Sequence, residues 1–170
     1  MQSLIPSPLH PALVHFPIVL AVLLPLVAAL AFWAIRRGAP ARRAWLAPLA
    51  VAAGLALSAW LAVETGEGDE DRAEAAVGQH VLEGHEEAAE RFLGLSVGML
   101  ALAAAGLLGG RLGRTARGLG IVASVGLIVA VIQVGHTGGR IVYGDPATRA
   151  AGVSQPPAVA GTERAADDDD

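Results

Sequence analysis

The chain lacks cysteine and lysine and is poor in charge. Its 170 residues include no cysteine and no lysine, and only 16% of them are charged. The absence of cysteine excludes disulfides, cysteine-based zinc sites, iron–sulfur clusters and c-type haem attachment. So few charges cannot cover the surface of a soluble domain that is 54% hydrophobic. The composition therefore indicates a protein that resides in a membrane.

Four stretches along the sequence are almost free of charge. Each approaches the ~20 residues that a helix, rising ~1.5 Å per residue, needs to cross a ~30 Å hydrocarbon core. Because water is absent at that depth, every backbone amide must be satisfied within its own segment, which favours helices over strands. The sequence predicts an all-α fold, an integral membrane four-helix bundle with spans at residues 12–35, 44–63, 92–110 and 118–139.

The charges between the spans predict their orientation. The loops after the first and third spans hold seven arginines and no acid: Arg36, Arg37, Arg42, Arg43, Arg111, Arg114 and Arg117. The positive-inside rule places both loops in the cytoplasm. Both chain termini and the acidic segment 64–90 then face outward, as expected for a multi-pass protein of a bacterial inner membrane with a periplasmic or extracellular outer side.

Two segments are too polar to lie in the membrane throughout. Residues 69–91 mix charged and apolar side chains and predict an outer helical segment that continues into the third span. Residues 145–170 contain three prolines and end in four consecutive aspartates, which predicts a disordered, solvated acidic tail. The membrane domain is therefore expected to occupy residues 8–144.

All five histidines fall on the predicted outer side. Glu64 ends the second span at the same level, so every span can bring a polar group to one layer. Imidazoles from separate helices bind haem b or a borderline transition metal where thiolates are absent, and carboxylates can complete a metal shell. The candidate metal ligands are His15, Glu64, His85 and His136, with His10 and His80 as weaker candidates.

The local sequence ranks the two histidines nearest the N-terminus. His10 precedes Pro11, which suits the start of a helix and a capping or surface role. His15 lies about one turn further in, where an unpaired imidazole would be costly and should face the bundle. We therefore expect His15 rather than His10 to be the ligand.

The fourth span adds a polar stripe beside these histidines. Gln133, His136 and Arg140 recur at three- and four-residue spacing, so they share one helix face. An arginine at the membrane surface can hold a haem propionate through its planar guanidinium. For haem b, we expect the ligand pair among His15, His85 and His136, with Gln133 and Arg140 in the same pocket. For a non-haem site, the same histidines and the carboxylate of the second span would hold zinc, iron, manganese or copper(II).

Other sequence features indicate how the helices pack and which partners are expected. Trp33 and Trp45, near the cytoplasmic ends of their spans, are expected in an aromatic belt at the membrane surface. The glycines at 94 and 98 form a GxxxG pattern, which favours close helix packing within the chain or in a homo-oligomer. The sequence contains no phosphate loop, and orientation explains the arginine loops, so no nucleic-acid partner is expected.

Two end motifs resemble a known family. The first span opens with residues 10–18, HPALVHFPI, and the last closes with residues 135–143, GHTGGRIVY. These motifs resemble those of the bacterial predicted membrane proteins called domain of unknown function 2231, and Thr65-Gly66 and His85-Glu86 fit the same pattern. The resemblance spans roughly residues 8–144. It implies a four-helix membrane domain that is sometimes fused to Rieske-type or other redox modules.

Two classes of function stay open at this point. The first is an electron-transfer protein that holds haem b or a transition metal on the outer side and has a periplasmic or quinone redox partner. The second is a non-catalytic membrane scaffold, or a small transporter of protons or solutes, in which the same residues form a structural polar layer. A carboxylate beside an imidazole is common without catalysis, so these residues do not argue for an enzyme.

Overall fold

A computed structural model describes residues 10–68 and 79–143 of the chain. In these ranges it has one short helix and four long ones, and no strand: α1 (His10–Leu13), α2 (His15–Arg36), α3 (Ala41–Glu67), α4 (Gln79–Ala105) and α5 (Gly110–Tyr143). The four long helices are long and apolar enough to cross a membrane. The prediction of an all-α membrane bundle of four spans is confirmed. The predicted tail, 145–170, and the first part of the predicted outer segment, 69–78, lie outside the described residues.

The long helices pack in chain order and close into a ring. α2 packs on α3, α3 on α4 and α4 on α5, and α5 returns to α2. Short connections join α2 to α3 and α4 to α5, as in antiparallel bundles. One end of the bundle, here called the arginine end, contains residues 36–41 and 105–117. The opposite end, the histidine end, contains residues 10–20, 60–68, 79–92 and 132–143.

The core of the bundle combines small residues with a few large ones. Ala21, Ala52 and Ala103 are completely buried, as are Leu24 and Leu55. Small side chains at helix contacts let the backbones approach closely, which is how helices associate in lipid. Large apolar side chains cover the outside of the bundle instead, where a membrane protein contacts lipid.

The connection between α4 and α5 is shorter than predicted. We expected the third span to end at residue 110 and the fourth to start at residue 118, but α4 ends at Ala105 and α5 begins at Gly110. Gly110 has a φ of 66°, a conformation that glycine adopts without a Cβ penalty, so the chain turns there. The three arginines of this region consequently lie in the first turns of α5, because arginine is a good helix former.

Trp45 is a core residue and not a belt residue. Its side chain is fully buried, and its Nε1–H donates a 3.0 Å hydrogen bond to the Ala103 carbonyl. The expectation of a membrane-surface position was wrong for Trp45, because α3 begins four residues earlier and turns the indole under the α4–α5 connection. Trp33 is 56% exposed and has the Arg37 guanidinium 4.8 Å from its ring centre, as a belt residue would.

Arg117 ties the start of α5 to the end of α4. Its guanidinium is buried and donates a hydrogen bond to the Gly106 carbonyl, just past the end of α4.

Arg117→Met keeps an apolar stem and removes the donor, so we expect the free energy of unfolding to fall by about 1–3 kcal/mol. Unfolding in mixed detergent, monitored by circular dichroism, measures this free energy. The exposed Arg114 provides the control, since Arg114→Met should change stability by less than about 0.5 kcal/mol. Equal losses of unfolding free energy in Arg117→Met and Arg114→Met would contradict a stabilising role for the Arg117 hydrogen bond.

Candidate functional site

Two histidines that are distant in the sequence meet at the histidine end. The ring centres of His10 and His85 are 6.4 Å apart, and their ring planes make an angle of 88°. His10 begins α1, and His85 lies in the second turn of α4. Both side chains are half-buried. We refer to these two residues as the histidine pair.

The His10 ring is held by the last turns of α3. Its Nδ1 lies 2.8 Å from the Ala62 carbonyl oxygen and 3.4 Å from the Thr65 hydroxyl. Because a carbonyl oxygen only accepts, Nδ1 carries the proton and donates it. Thr65 donates its own hydroxyl to the Leu61 or Ala62 carbonyl, at 2.8 and 3.1 Å. In the neutral ring, Nε2 of His10 therefore has an unshared lone pair.

The His85 ring is held in the same way by α5. Its Nδ1 lies 3.0 Å from the Thr137 hydroxyl oxygen. Thr137 donates its hydroxyl hydrogen to the Gln133 or Val134 carbonyl, at 3.2 and 3.0 Å. The Thr137 oxygen is then an acceptor for Nδ1–H. Neutral His85 thus has the same tautomer as His10, with its lone pair on Nε2.

The surroundings of the two rings are copies of one arrangement. Each ring lies against a threonine and the glycine that follows it: Thr65 and Gly66 for His10, and Thr137 and Gly138 for His85. A Cβ on Gly66 would lie 3.2 Å from Cε1 of His10, and one on Gly138 would lie 3.1 Å from Cε1 of His85. Both glycines therefore let an imidazole lie directly against a helix.

The other predicted ligands among the described residues do not join the histidine pair in a metal-binding group. His15, Glu64 and His136 all have exposed side chains on α2, α3 and α5. Over the described part of the chain, no group of three or more His, Asp or Glu side chains is arranged to hold a metal ion. We expected the ligand pair among His15, His85 and His136, but the structure places His10 beside His85, because the short helix α1 packs on α3.

The two remaining candidates lie at the same end of the bundle. His80 is in the first turn of α4, five residues before His85. Arg140 is exposed in the last turn of α5, one turn beyond His136. The predicted polar stripe therefore does run along one face of α5, next to the helix that contributes His85.

A groove beside the histidine pair contains part of this stripe. Its walls include Glu87, Ala88 and Arg91 of α4 and Ile132, Gln133 and His136 of α5. The groove has a volume of about 380 Å³ and opens onto the bundle surface. Thr137 also lines it and accepts the hydrogen bond from His85. Thr137 therefore connects the groove to His85 of the histidine pair.

Thr137 is expected to fix the tautomer of His85. Thr137→Val keeps the shape of the side chain and removes one accepting oxygen, and a hydrogen bond of this kind contributes about 0.5–1.5 kcal/mol. We therefore expect the preference of His85 for the Nδ1–H tautomer to fall by roughly 2- to 10-fold. ¹⁵N NMR of the histidine rings measures the populations of the two tautomers. Thr137→Ser retains the hydroxyl and should retain the preference, whereas an unchanged spectrum in Thr137→Val would show that the hydroxyl has no such role.

Comparisons with known proteins give one match, at the level of a family. A family model described as a predicted membrane protein (DUF2231) matches residues 6–150. No curated protein and no solved structure matches the chain. The matched segment contains the four long helices, the histidine pair and both threonine–glycine sequences.

Proposed function

The chain belongs to the DUF2231 family of predicted membrane proteins, and we propose that it binds haem b between His10 and His85 and transfers electrons at the histidine end. It is a multi-pass membrane protein in contact with the lipid bilayer. The histidine pair carries the proposal, since its rings lie 6.4 Å apart and each is held through Nδ1–H. Two Nε2 lone pairs are then left for a ligand.

The number of donors favours haem over a closed metal site. Haem would need no more than two imidazoles from the protein, because the porphyrin would supply four nitrogens of its own. A zinc site takes three or four protein ligands. The described residues offer two imidazoles at one place and no group of three or more ligating side chains. This donor set fits haem b better than it fits zinc or copper.

The separation of the rings also suits one metal ion. Two imidazoles that held one metal ion through bonds of about 2.0–2.1 Å would have ring centres roughly 6–6.5 Å apart. The observed separation is 6.4 Å. A hydrogen bond from the other ring nitrogen to a carbonyl is the usual partner of a ligating histidine, because it orients the ring and raises the basicity of the ligating nitrogen. His10 has such a carbonyl partner in Ala62, and the Thr137 hydroxyl takes the same place for His85.

Neighbouring residues would surround the haem ligands with apolar side chains and would balance the charge of a haem propionate. Leu82 and Phe92 are 8% and 5% exposed and lie on the same face of α4 as His85, by their spacing. Apolar neighbours lower the local dielectric and keep water from the ligands. We assign Arg140 to a haem propionate, because a guanidinium is a planar donor to carboxylates. When bound, haem b supplies one-electron transfer.

The distribution of arginine supports an orientation for this site. The arginine end carries no acid in either of its connections, so the positive-inside rule puts it in the cytoplasm. The histidine end and both termini would then face the periplasm, across a bacterial inner membrane. In that position the site would exchange electrons with a periplasmic protein or with a membrane quinone.

Purification in detergent, after expression with a haem precursor, tests the proposal. We expect a Soret band and one haem b per chain in a pyridine haemochromogen assay. A colourless protein that also fails to bind added haemin would overturn the proposal. If such a protein contained stoichiometric zinc or copper, a metal site would replace the haem site. If it contained no metal, the scaffold or transporter function would be favoured.

A further inference from the structure

Two polar side chains in the groove are without a partner among residues 10–68 and 79–143. Gln133 and His136 line the groove at exposed positions, and neither makes a side-chain hydrogen bond within the described part of the chain. Both belong to a helix that is long and apolar enough to cross a membrane. An unsatisfied amide or imidazole is costly in such a helix. Their donors are therefore available to a bound molecule.

The groove carries no net charge. Its charged side chains are Glu87 and Arg91, which form an ion pair one turn apart on α4. The guanidinium is thus already neutralised by a carboxylate. A phosphate-bearing lipid head group would need an excess of positive charge to be held here. The groove therefore favours a neutral ligand.

The remaining wall of the groove is apolar and continues along the bundle. Ala88 and Ile132 face the groove from its two helices. From Ile132, exposed Val129 and Val125 extend the same face of α5 toward the middle of the span. A flat apolar head group would fit against this wall, and a hydrocarbon tail could follow the valines. Few, well-placed donors in an apolar pocket are typical of small-molecule sites.

We propose that the groove binds the head group of a lipid-soluble quinone, with Gln133 and His136 donating hydrogen bonds to its oxygens. A quinone is neutral, flat and apolar, and it accepts hydrogen bonds through two carbonyl oxygens. The role of this site rests on the proposed function, because Thr137 places the groove directly beside His85. Quinone binding itself requires only the groove residues and can be measured without haem.

The absence of cysteine from the chain allows a direct binding assay. Ala88→Cys places a thiol in the groove, and Glu90→Cys places one at a similar depth on α4 outside it. Both variants are reconstituted in phosphatidylcholine nanodiscs and treated with a maleimide, with and without decylubiquinone. We expect decylubiquinone to slow the modification of Ala88→Cys at least fivefold and to leave that of Glu90→Cys unchanged. Gln133→Leu in the Ala88→Cys chain should remove the protection.

The same assay separates this proposal from the haem proposal. With His85→Ala added, the protection of Ala88→Cys by decylubiquinone should persist, although haem is no longer bound. Three results would overturn the quinone site: no protection of Ala88→Cys, equal protection of both thiols, or protection that survives Gln133→Leu. Protection by phosphatidylglycerol in place of decylubiquinone would assign the groove to an anionic lipid and would equally overturn it. Circular dichroism of each variant confirms that the helices are intact.

Discussion

We expect His10→Ala and His85→Ala each to lower the haem content of the purified protein at least tenfold, and His15→Ala to leave it unchanged. Each of the first two substitutions removes one of the two imidazoles that the structure brings within 6.4 Å of each other. Changing even the outer hydrogen-bond partner of a ligand typically costs about 10- to 100-fold in affinity, so removing the ligand itself costs at least as much. The pyridine haemochromogen assay, expressed per chain, measures this loss.

Chemical rescue distinguishes a lost ligand from a misfolded chain. His85→Gly with added imidazole should recover the Soret band, because the small molecule can occupy the space of the missing ring. His15→Ala tests the same residue type in an exposed position outside the pair. If His15→Ala loses haem while His10→Ala retains it, the ligand would be the residue that the sequence alone favoured. The assignment of the histidine pair would then be wrong.

The second large effect is expected at the arginine end, where Gly106→Ala should lower the free energy of unfolding by about 3 kcal/mol. A Cβ at this position would overlap the indole ring of Trp45. The indole cannot move aside, because it is fully buried and donates a 3.0 Å hydrogen bond to the Ala103 carbonyl. Unfolding in mixed detergent, followed by circular dichroism, gives the difference.

Gly98→Ala is the matched control for Gly106→Ala. A Cβ on Gly98 would meet nothing within 4 Å, and the same holds for Gly94. These two glycines do not pack against another described part of this chain, so the GxxxG pattern has no intramolecular role there. Gly98→Ala in a helix interior should therefore stabilise the protein by about 0.5–1 kcal/mol. Similar losses in both variants would show that the contact with Trp45 is not what limits position 106.

The membrane fold could be predicted because charge and hydropathy are local properties of the sequence. The uncharged runs 44–63 and 118–139 lie entirely within long helices, and most of the runs 12–35 and 92–110 does so as well. The position of Trp45 could not be predicted in this way. A tryptophan near a span end suits both a lipid interface and a core, and the choice depends on the rotation of α3 about its axis.

The candidate site could be predicted only in part for the same reason. The histidines were recognisable by type, and the structure places His85 and His136 at one end of the bundle, as expected. The choice of His10 over His15 depends on the break between α1 and α2 at Val14, which apolar periodicity does not reveal. The sequence does contain one overlooked signal. Thr65-Gly66 and Thr137-Gly138 repeat the same dipeptide near the ends of the second and fourth spans.

The electron paramagnetic resonance spectrum of the oxidised haem-loaded protein tests the central claim most directly. Two imidazole ligands make ferric haem low-spin, and ring planes at 88° make its signal strongly anisotropic. We predict such a signal in the wild-type protein and its loss in His10→Ala. A high-spin signal in the wild-type protein, or a low-spin signal that persists in His10→Ala, would contradict the histidine pair as the haem site.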